Sequence, residues 1–178
     1  IFVAAPGKEF LDWDLEQIEL RVLAWMSQDE AMLDAFERGE DIHLATARDM
    51  WGEAQAAAHR YQGKVLNFAI TYGGDEYTLY TRQHIPIDQG KAMIKAYFDK
   101  RPKVKKWIQD NIEQVKAKGY AETMMGRRRS FPEIHSPFEW ERKKAEREAT
   151  NLPIQGTAAE ILKMLALQIR QAPQVNHI

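Results

Sequence analysis

The 178-residue sequence contains no cysteine, which excludes disulfides, cysteine-bound zinc, iron–sulfur ligation and thiol nucleophiles together. It also lacks any apolar run approaching the roughly 20 residues that a membrane-spanning helix needs. Internal repeats and low-complexity linkers are missing too. Nor is one sign of charge in excess: 25 Lys and Arg stand against 26 Asp and Glu, a formal net charge of -1. What remains is ordinary, with 44% hydrophobic and 29% charged residues, the proportions of a folded chain with a real core. Taken whole, the near-zero charge argues against a polyanionic partner.

The distribution of that charge argues the reverse. Residues 1–59 hold 4 basic and 13 acidic groups, a net of -9, and residues 60–99 carry +1. Residues 100–147 hold 14 basic and 7 acidic groups, a net of +7, and 148–178 are balanced. A charge run by itself is most simply a solvated helix face. The basic stretch, however, interleaves Tyr120, Phe131, Phe138 and Trp140 with Gly126-Arg127-Arg128-Arg129, and such mixtures suit a phosphate backbone. The sequence begins at Ile1 rather than Met, and Gln171–Ile178 shows no helix stop and no charged tail. It reads as an internal piece of something longer.

The periodicity predicts helices with little strand, an α+β chain that is mainly α with a short β segment. Lys8–Asp14 alternates, with Phe10, Asp12 and Asp14 on one face and Leu11 and Trp13 on the other, which reads as a short strand. Helical spacing follows in Ile18, Val22, Trp25 and Met26. Asp29 is suited to cap a helix ending at Gly39, and Asp41 another beginning near His43. Ala54–Tyr72 reads as one helix stopped by Gly73-Gly74. Further helices are expected from Ile85-Pro86-Ile87-Asp88 through Phe98, along the stripe Val104, Trp107, Ile108, Ile112 and Val115 closing at Gly119, and over Ile161, Leu162, Leu165 and Ile169.

Three constellations carry chemistry. Asp14 sits at a strand end directly before a helix, in Asp14-Leu15-Glu16-Gln17-Ile18-Glu19-Leu20-Arg21. A carboxylate there suits a hard cation such as Mg²⁺, which takes one or two carboxylates plus substrate phosphates; capping of the following helix is the alternative. Arg60, Lys64, Phe68 and Tyr72 recur every four residues, so they spread over roughly 120° of one helix face. Two cations followed by two rings can hold a triphosphate and stack on a base or sugar; equally, the rings can be core with the cations at its edge. Arg147, Asn151 and Gln155 form a third stripe around Pro153, of a kind that can reach minor-groove acceptors, or merely line a Pro-interrupted surface helix.

At these residues the chain resembles the family A, DNA polymerase I-like, DNA polymerases. Asp14–Arg21 is similar to their motif A, and Arg60-Tyr-Gln-Gly-Lys64-Val-Leu-Asn67-Phe68-Ala-Ile-Thr-Tyr72-Gly73 to motif B on the fingers helix. Tyr120–Arg129 and Asn151-Leu-Pro-Ile-Gln-Gly-Thr-Ala-Ala159 resemble two further signatures, in the family's order, and Asp41-Ile42-His43 fits between motifs A and B. The resemblance covers nearly the whole chain. It implies part of the palm plus the helical fingers of a right-hand polymerase: 1–52 palm with motif A, 53–140 fingers, and 141–178 a return to the palm cut short of the second metal-binding motif.

The resemblance implies roles as well. Asp14 becomes one of two aspartates that bind a catalytic Mg²⁺ pair, with the Leu15 carbonyl in support, for nucleotidyl transfer from a dNTP to a primer 3′-hydroxyl. His43, Arg60 and Lys64 hold the triphosphate, Phe68 lies against the sugar, and Tyr72 sits near the templating position. Gln17 joins the nucleotide-binding set, and Glu19, packed with Tyr72, is the steric gate against a ribose 2′-hydroxyl. Arg147, Asn151 and Gln155 track the minor groove of primer–template DNA, and Arg127, Arg128 and Arg129 its backbone. A monomeric, cytoplasmic enzyme of bacterial or viral type follows, with no membrane partner.

Departures from the family pattern are Leu15 and Glu16, where an aromatic and a Ser are common, Ala69 in place of Gly, and the additional carboxylate Asp12. The family's second aspartate lies in a His-Asp-Glu sequence that these 178 residues do not contain, so the isolated chain is expected to be inactive. The rival readings are a single-subunit RNA polymerase, against which Glu19 speaks, and a nucleic-acid-binding module without catalysis.

Overall fold

The computed structural model describes residues 3–10 and 12–171. Helices dominate, and the first three starts have local causes. The first, α1 (Ile18–Ser27), follows a tight turn in which Gln17 takes a left-handed φ of 56°, and the Arg21 Nε donates to the Glu16 carbonyl across it at 3.0 Å. Leu20, Leu23 and Ala24 are its buried face. In α2 (Glu30–Glu37) the Asp29 carboxylate accepts from the Met32 N–H at 3.1 Å. In α3 (Ile42–Trp51) the Asp41 carboxylate accepts from the His43 and Leu44 N–H groups at 2.9 and 3.2 Å. Both caps satisfy donors that the first helical turn leaves open.

The expected helix over 54–72 is two. A short α4 (Glu53–Ala56) gives way to a turn at 57–59 before α5 (Arg60–Thr71). Ala-rich 54–58 has helix propensity but little apolar surface to bury, so packing decides the path. That packing is close, because a Cβ on Gly63 of α5 would lie 2.3 Å from the His43 carbonyl of α3. A helix over Glu76–Gln83, α6, was not expected from periodicity; it is opened by a capping box between Asp75 and Thr78. Then come α7 (Ile87–Lys100) and α8 (Pro102–Lys118), the latter closed by Gly119 at φ 78°.

The strand expected over 8–14 is not formed. Residues 8–10 and 12–14 are irregular, Leu11 lies outside the described residues, and no described strand pairs with the segment. Alternation of side chains supplies a face but not a partner, and an unpaired strand leaves its N–H and C=O groups to solvent. The described β structure is instead a hairpin of β1 (Tyr120–Glu122) and β2 (Arg128–Ser130), antiparallel with Ala121 opposite Arg129. Each strand has three residues and β2 is wholly exposed, so period-two burial had nothing to register.

After a 3₁₀ turn at Pro132–His135 the chain enters α9 (Glu139–Gln171), 33 residues with Pro153 inside. Proline removes the hydrogen bond to the carbonyl four residues earlier. That carbonyl, on Ala149, accepts instead from the Asn111 carboxamide of α8 at 3.0 Å, and the helix runs on through the proline, where one of the two readings had it interrupted. The expectation for the tail at 172–178 lies outside the described residues.

The main core gathers Leu20, Leu23, Met32, Ile42, Leu66, Ile70, Leu79, Tyr97, Val104 and Ile154, and so joins α1–α3 to α5–α9. A second cluster, Val115, Ala121, Phe131, Ile134, Ala145 and Ala149, fastens the hairpin to α8 and α9. Each fully buried Leu or Ile contributes about 1.5–3 kcal/mol. No helix among the described residues is long and apolar enough to cross a membrane.

Candidate nucleotide and nucleic-acid sites

The stripe read on α5 is a real face, and α3 and α1 complete it. Phe68 and Tyr72 stack at 6.0 Å with planes 8° apart, His43 of α3 is tilted against Phe68 at 5.7 Å, and the Lys64 ammonium lies 5.8 Å from the Phe68 ring centre. Arg60, one turn before Lys64, pairs through Nε with Asp41 at 2.5 Å. On the outer side of α5, a cleft of about 320 Å³ is lined by Lys64, Phe68 and Tyr72 with Leu79 and Arg82 of α6.

Glu19 on α1 meets this face at its far end, where the Tyr72 hydroxyl donates to its Oε2 at 2.7 Å. Partial burial, then the bond to Glu19 and its charge, push the phenol up to about 12; a hydrogen bond from Gln155 works the other way. Tyr72 is therefore a neutral donor at any physiological pH, and Glu19, Tyr72 and Gln155 meet from three elements.

Gly73, at φ 64°, lets α5 end against α9: a Cβ there would come within 3.0 Å of the Arg147 Cα. The left-handed φ and the close approach both call for glycine.

His43 is buried and held below its ordinary pKa. Desolvation is the main cause and the cations Arg60 and Lys64 add to it, against an opposing pull from Asp41. The imidazole is thus neutral at pH 7, a hydrogen-bonding group rather than a charge. Burial raises the Asp41 carboxyl, but Arg60 and the N–H groups of Leu44 and His43 outweigh it and hold the group below the usual range.

Along α9, Tyr72, Arg82, Lys144, Arg147, Glu148 and Asn151 line a groove of about 450 Å³. A second depression of about 300 Å³ continues it past Arg129, Asn151 and Gln155. Arg147 in the first and Arg129 and Gln155 in the second thus line adjoining depressions that share Asn151. The other two arginines of the hairpin region are not among the lining residues of either. Arg127 pairs with Glu160 at 3.1 Å, and Arg128 with Glu122 at 2.8 Å while lying over the Tyr120 ring at 4.7 Å. Arg129 also has a carboxylate, Glu148 at 2.6 Å. The Oδ1 of Asn151 is buried without a partner, an acceptor that is left over when the protein is alone.

Asp14 stands apart. It is exposed, has no ion pair among the described residues, and no three His, Asp or Glu side chains among them gather as a metal site. The Leu15 carbonyl accepts the Ile18 N–H at 3.3 Å and retains a second lone pair. An unpaired hard-oxygen donor beside a carbonyl fits one side of a Mg²⁺ site whose remaining ligands are water and phosphate. Gln17 turns in the left-handed bend between Asp14 and α1, its amide near the Glu16 carboxylate at 3.5 Å.

Sequence reasoning missed Thr46, Arg82, Lys144, Glu148 and Arg101, which join these faces. Thr46 was detectable as one turn beyond His43 on α3, and Lys144 and Glu148 as one turn from Arg147 and Asn151 on α9; Arg82 and Arg101 carry no local signal.

Comparisons with known proteins identify the family and the fold. The family model for DNA polymerase family A matches residues 1–177. The thermostable DNA polymerase I of Thermus thermophilus is 40% identical over 171 residues, 94% of this chain and 20% of that protein. DNA polymerase I of Streptococcus pneumoniae is 40% identical over 166 residues, 91% of this chain and 19% of that one. A solved structure, the POL domain of Pol1 from M. smegmatis in complex with DNA primer-template and dNTP, superposes with a TM-score of 0.82 at 33% identity, over 90% of this chain and 29% of the other. The chain thus spans about a fifth of the length of the curated relatives it matches. With motif order, fold and sequence in agreement, this chain belongs to DNA polymerase family A.

Proposed function

We propose that this chain supplies the nucleotide-binding fingers and the adjoining motif A part of the palm of a DNA-directed DNA polymerase, with residues 1–52 and 141–178 as palm and 53–140 as fingers. The observation that carries the reading is the convergence of His43, Lys64, Phe68 and Tyr72 on one face with Arg60 at its start and Glu19 bonded to Tyr72 at its end. Support also comes from the solved relative, whose complex holds DNA primer-template and dNTP.

In this reading a dNTP lies along α5. Arg60 and Lys64 face its phosphates with charge-assisted hydrogen bonds, and neutral His43 adds a donor. Phe68 presents a flat apolar surface to the sugar. The Glu19–Tyr72 bond makes a fixed wall where a ribose 2′-hydroxyl would sit, and a wall held by a 2.7 Å bond does not yield easily. That favours deoxynucleotides and disfavours the RNA polymerase alternative. Arg129, Arg147, Asn151 and Gln155 follow the primer–template duplex, with Arg127 and Arg128 exchanging their carboxylates for phosphates.

Asp14 and the Leu15 carbonyl would hold Mg²⁺, which when bound lowers the barrier to attack by the primer hydroxyl and neutralises the departing pyrophosphate. A second carboxylate is required for the pair of ions, and the 178 residues contain no His-Asp-Glu sequence. The chain alone is therefore inactive, and primer extension by it in Mg²⁺ would overturn that statement. The reading as a whole is tested in a complete polymerase carrying this segment. There, Asp14→Ala removes incorporation while DNA binding persists. Unchanged incorporation would instead favour a binding module without chemistry.

A further inference from the structure

Behind the nucleotide face lies a buried polar chain that the proposed mechanism does not use. Asn67 is 0% exposed, Thr46 0%, Arg101 1% and His43 3%. The Asn67 Nδ2 lies 3.1 Å from the His43 Nδ1 and 3.4 Å from the Ile42 carbonyl. The Asn67 Oδ1 faces the Thr46 hydroxyl at 3.1 Å. The Arg101 Nη2, from the junction of α7 and α8, donates to the Thr46 Oγ1 at 3.2 Å and to Asp49 at 2.8 Å. Three parts of the fold, α3, α5 and the α7–α8 junction, are therefore linked in one chain that ends on an imidazole nitrogen.

The protons can be assigned. A carboxamide has two N–H donors and one carbonyl acceptor. Pointing its nitrogen at His43 gives one proton to Nδ1 and the other to the Ile42 carbonyl. Its oxygen then faces the Thr46 hydroxyl at 3.1 Å, whose single proton is shared with the nearer Ile42 carbonyl at 2.8 Å, and the Thr46 oxygen is in turn an acceptor for Arg101. Both ends of the Asn67 carboxamide are satisfied, while the Arg101 Nε and Nη1 are buried without a partner. Turning the carboxamide over would set its oxygen against the Ile42 carbonyl oxygen and would require a proton on Nδ1.

We infer that Asn67 is a positioning residue for His43: it occupies Nδ1, fixes the ring, and keeps the single proton of the neutral imidazole on Nε2, while Thr46 and Arg101 fix Asn67. Which ring nitrogen carries the proton is set by the bond that the other one makes. Neutral histidine with Nε2–H is always a donor on its open side, whereas Nδ1–H histidine offers a lone pair there and repels a phosphate oxygen. The consequence for nucleotide binding rests on the function proposed above; the tautomer itself does not.

The test is nitrogen-15 NMR of the 178-residue chain. The expected spectrum of His43 at pH 7 has Nε2 protonated and Nδ1 bare, with a through-hydrogen-bond coupling from the Asn67 Nδ2 to the His43 Nδ1. Asn67→Asp, which is nearly the same shape, replaces the donor by an acceptor. It moves the proton to Nδ1 and raises the pKa of an imidazole whose other charged neighbours are Asp41, Arg60 and Lys64. Thr46→Val, as a second variant, releases the carboxamide and weakens the coupling. A protonated Nδ1 in the unmutated chain overturns the inference, and so does a His43 spectrum indifferent to both substitutions. In a complete polymerase, Asn67→Asp raises the KM for dNTP about tenfold with kcat nearly unchanged. If the tautomer shifts as stated but KM does not, the positioning stands and the nucleotide role of His43 falls.

Discussion

The two faces that flank Tyr72 are built in opposite ways. On the α3–α5 side, the functional groups are locked from behind: His43 by the Asn67 carboxamide, Tyr72 by Glu19, and the helices by a contact that tolerates no Cβ at Gly63. On the α9–hairpin side the arginines are held at the surface by single carboxylates, Glu160, Glu122 and Glu148. Exposed pairs such as Arg128–Glu122 and Arg129–Glu148 contribute about 0–1 kcal/mol each, so they are easily exchanged; Arg127 differs in that its partner Glu160 is nearly buried. The difference matches the ligands proposed. A small ligand that must be held in one geometry needs preorganised groups; a duplex that must slide needs contacts that are cheap to break and remake.

The largest effect is expected where the locked face is broken without touching any ligand-facing group. Gly63→Val sets a side chain 2.3 Å from a backbone carbonyl, and neither helix can retreat without opening the core around Leu66. Overpacking of this sort costs about 1–3 kcal/mol or more. The variant unfolds at a clearly lower urea concentration than the parent chain, and full stability would mean that the α3–α5 contact is looser than described. Next in size is Lys64→Ala in a complete polymerase. Losing one charged hydrogen bond, about 1.5–3 kcal/mol, raises the KM for dNTP about 10–100-fold and leaves the salt dependence of DNA binding as it was. A change in that dependence would place Lys64 on the other face.

Much of the locked face was legible in the sequence because its parts are local. Four-residue spacing put Arg60, Lys64, Phe68 and Tyr72 on one stripe, and Asp29 and Asp41 announced the caps they form. Motif resemblance then supplied Glu19, 53 residues from its partner Tyr72. What was not legible depends on partners without local pattern. The hairpin is too short and too exposed for alternation to show. The strand expected before Asp14 had a pattern but no described partner. Nothing near Pro153 indicates that Asn111, 38 residues before Ala149, fills the carbonyl that the proline leaves open. Arg101 reaches Thr46 across 55 residues and was read only as part of a basic run.

Smaller effects are expected on the exchangeable face, and there the signs are opposite for the two members of a pair. Arg129→Ala removes one phosphate contact, weakening DNA binding uniformly across sequences and lowering the slope of log K against log salt by about one. Glu148→Gln removes the carboxylate that holds Arg129 at 2.6 Å and lies 3.9 Å from Lys144, so it tightens DNA binding at low salt. Filter binding over a salt series reads both. Equal weakening by both substitutions would mean that the pair positions Arg129 rather than restraining it, and the contrast between the faces would fail there.

The smallest effect separates the faces by pH. Tyr72 titrates at about 12 in the folded chain, against an ordinary value near 10. A folded pKa above the unfolded one means that the neutral phenol's contribution is complete below pH 10 and is lost as pH rises from 10 through 12. Tyr72→Phe costs about 0.5–1.5 kcal/mol at pH 7 for the lost bond to Glu19, and it removes Tyr72's share of the alkaline decline. Buried Tyr97, also pushed up to about 12 by desolvation, titrates in the same window, so part of the decline survives in Tyr72→Phe. Thermal melts of both chains from pH 8 to 12 should therefore converge as pH rises. Curves that stay parallel would show that the Tyr72 phenol gains nothing from Glu19, and the fixed wall against a 2′-hydroxyl would have to be carried by the Glu19 side chain alone.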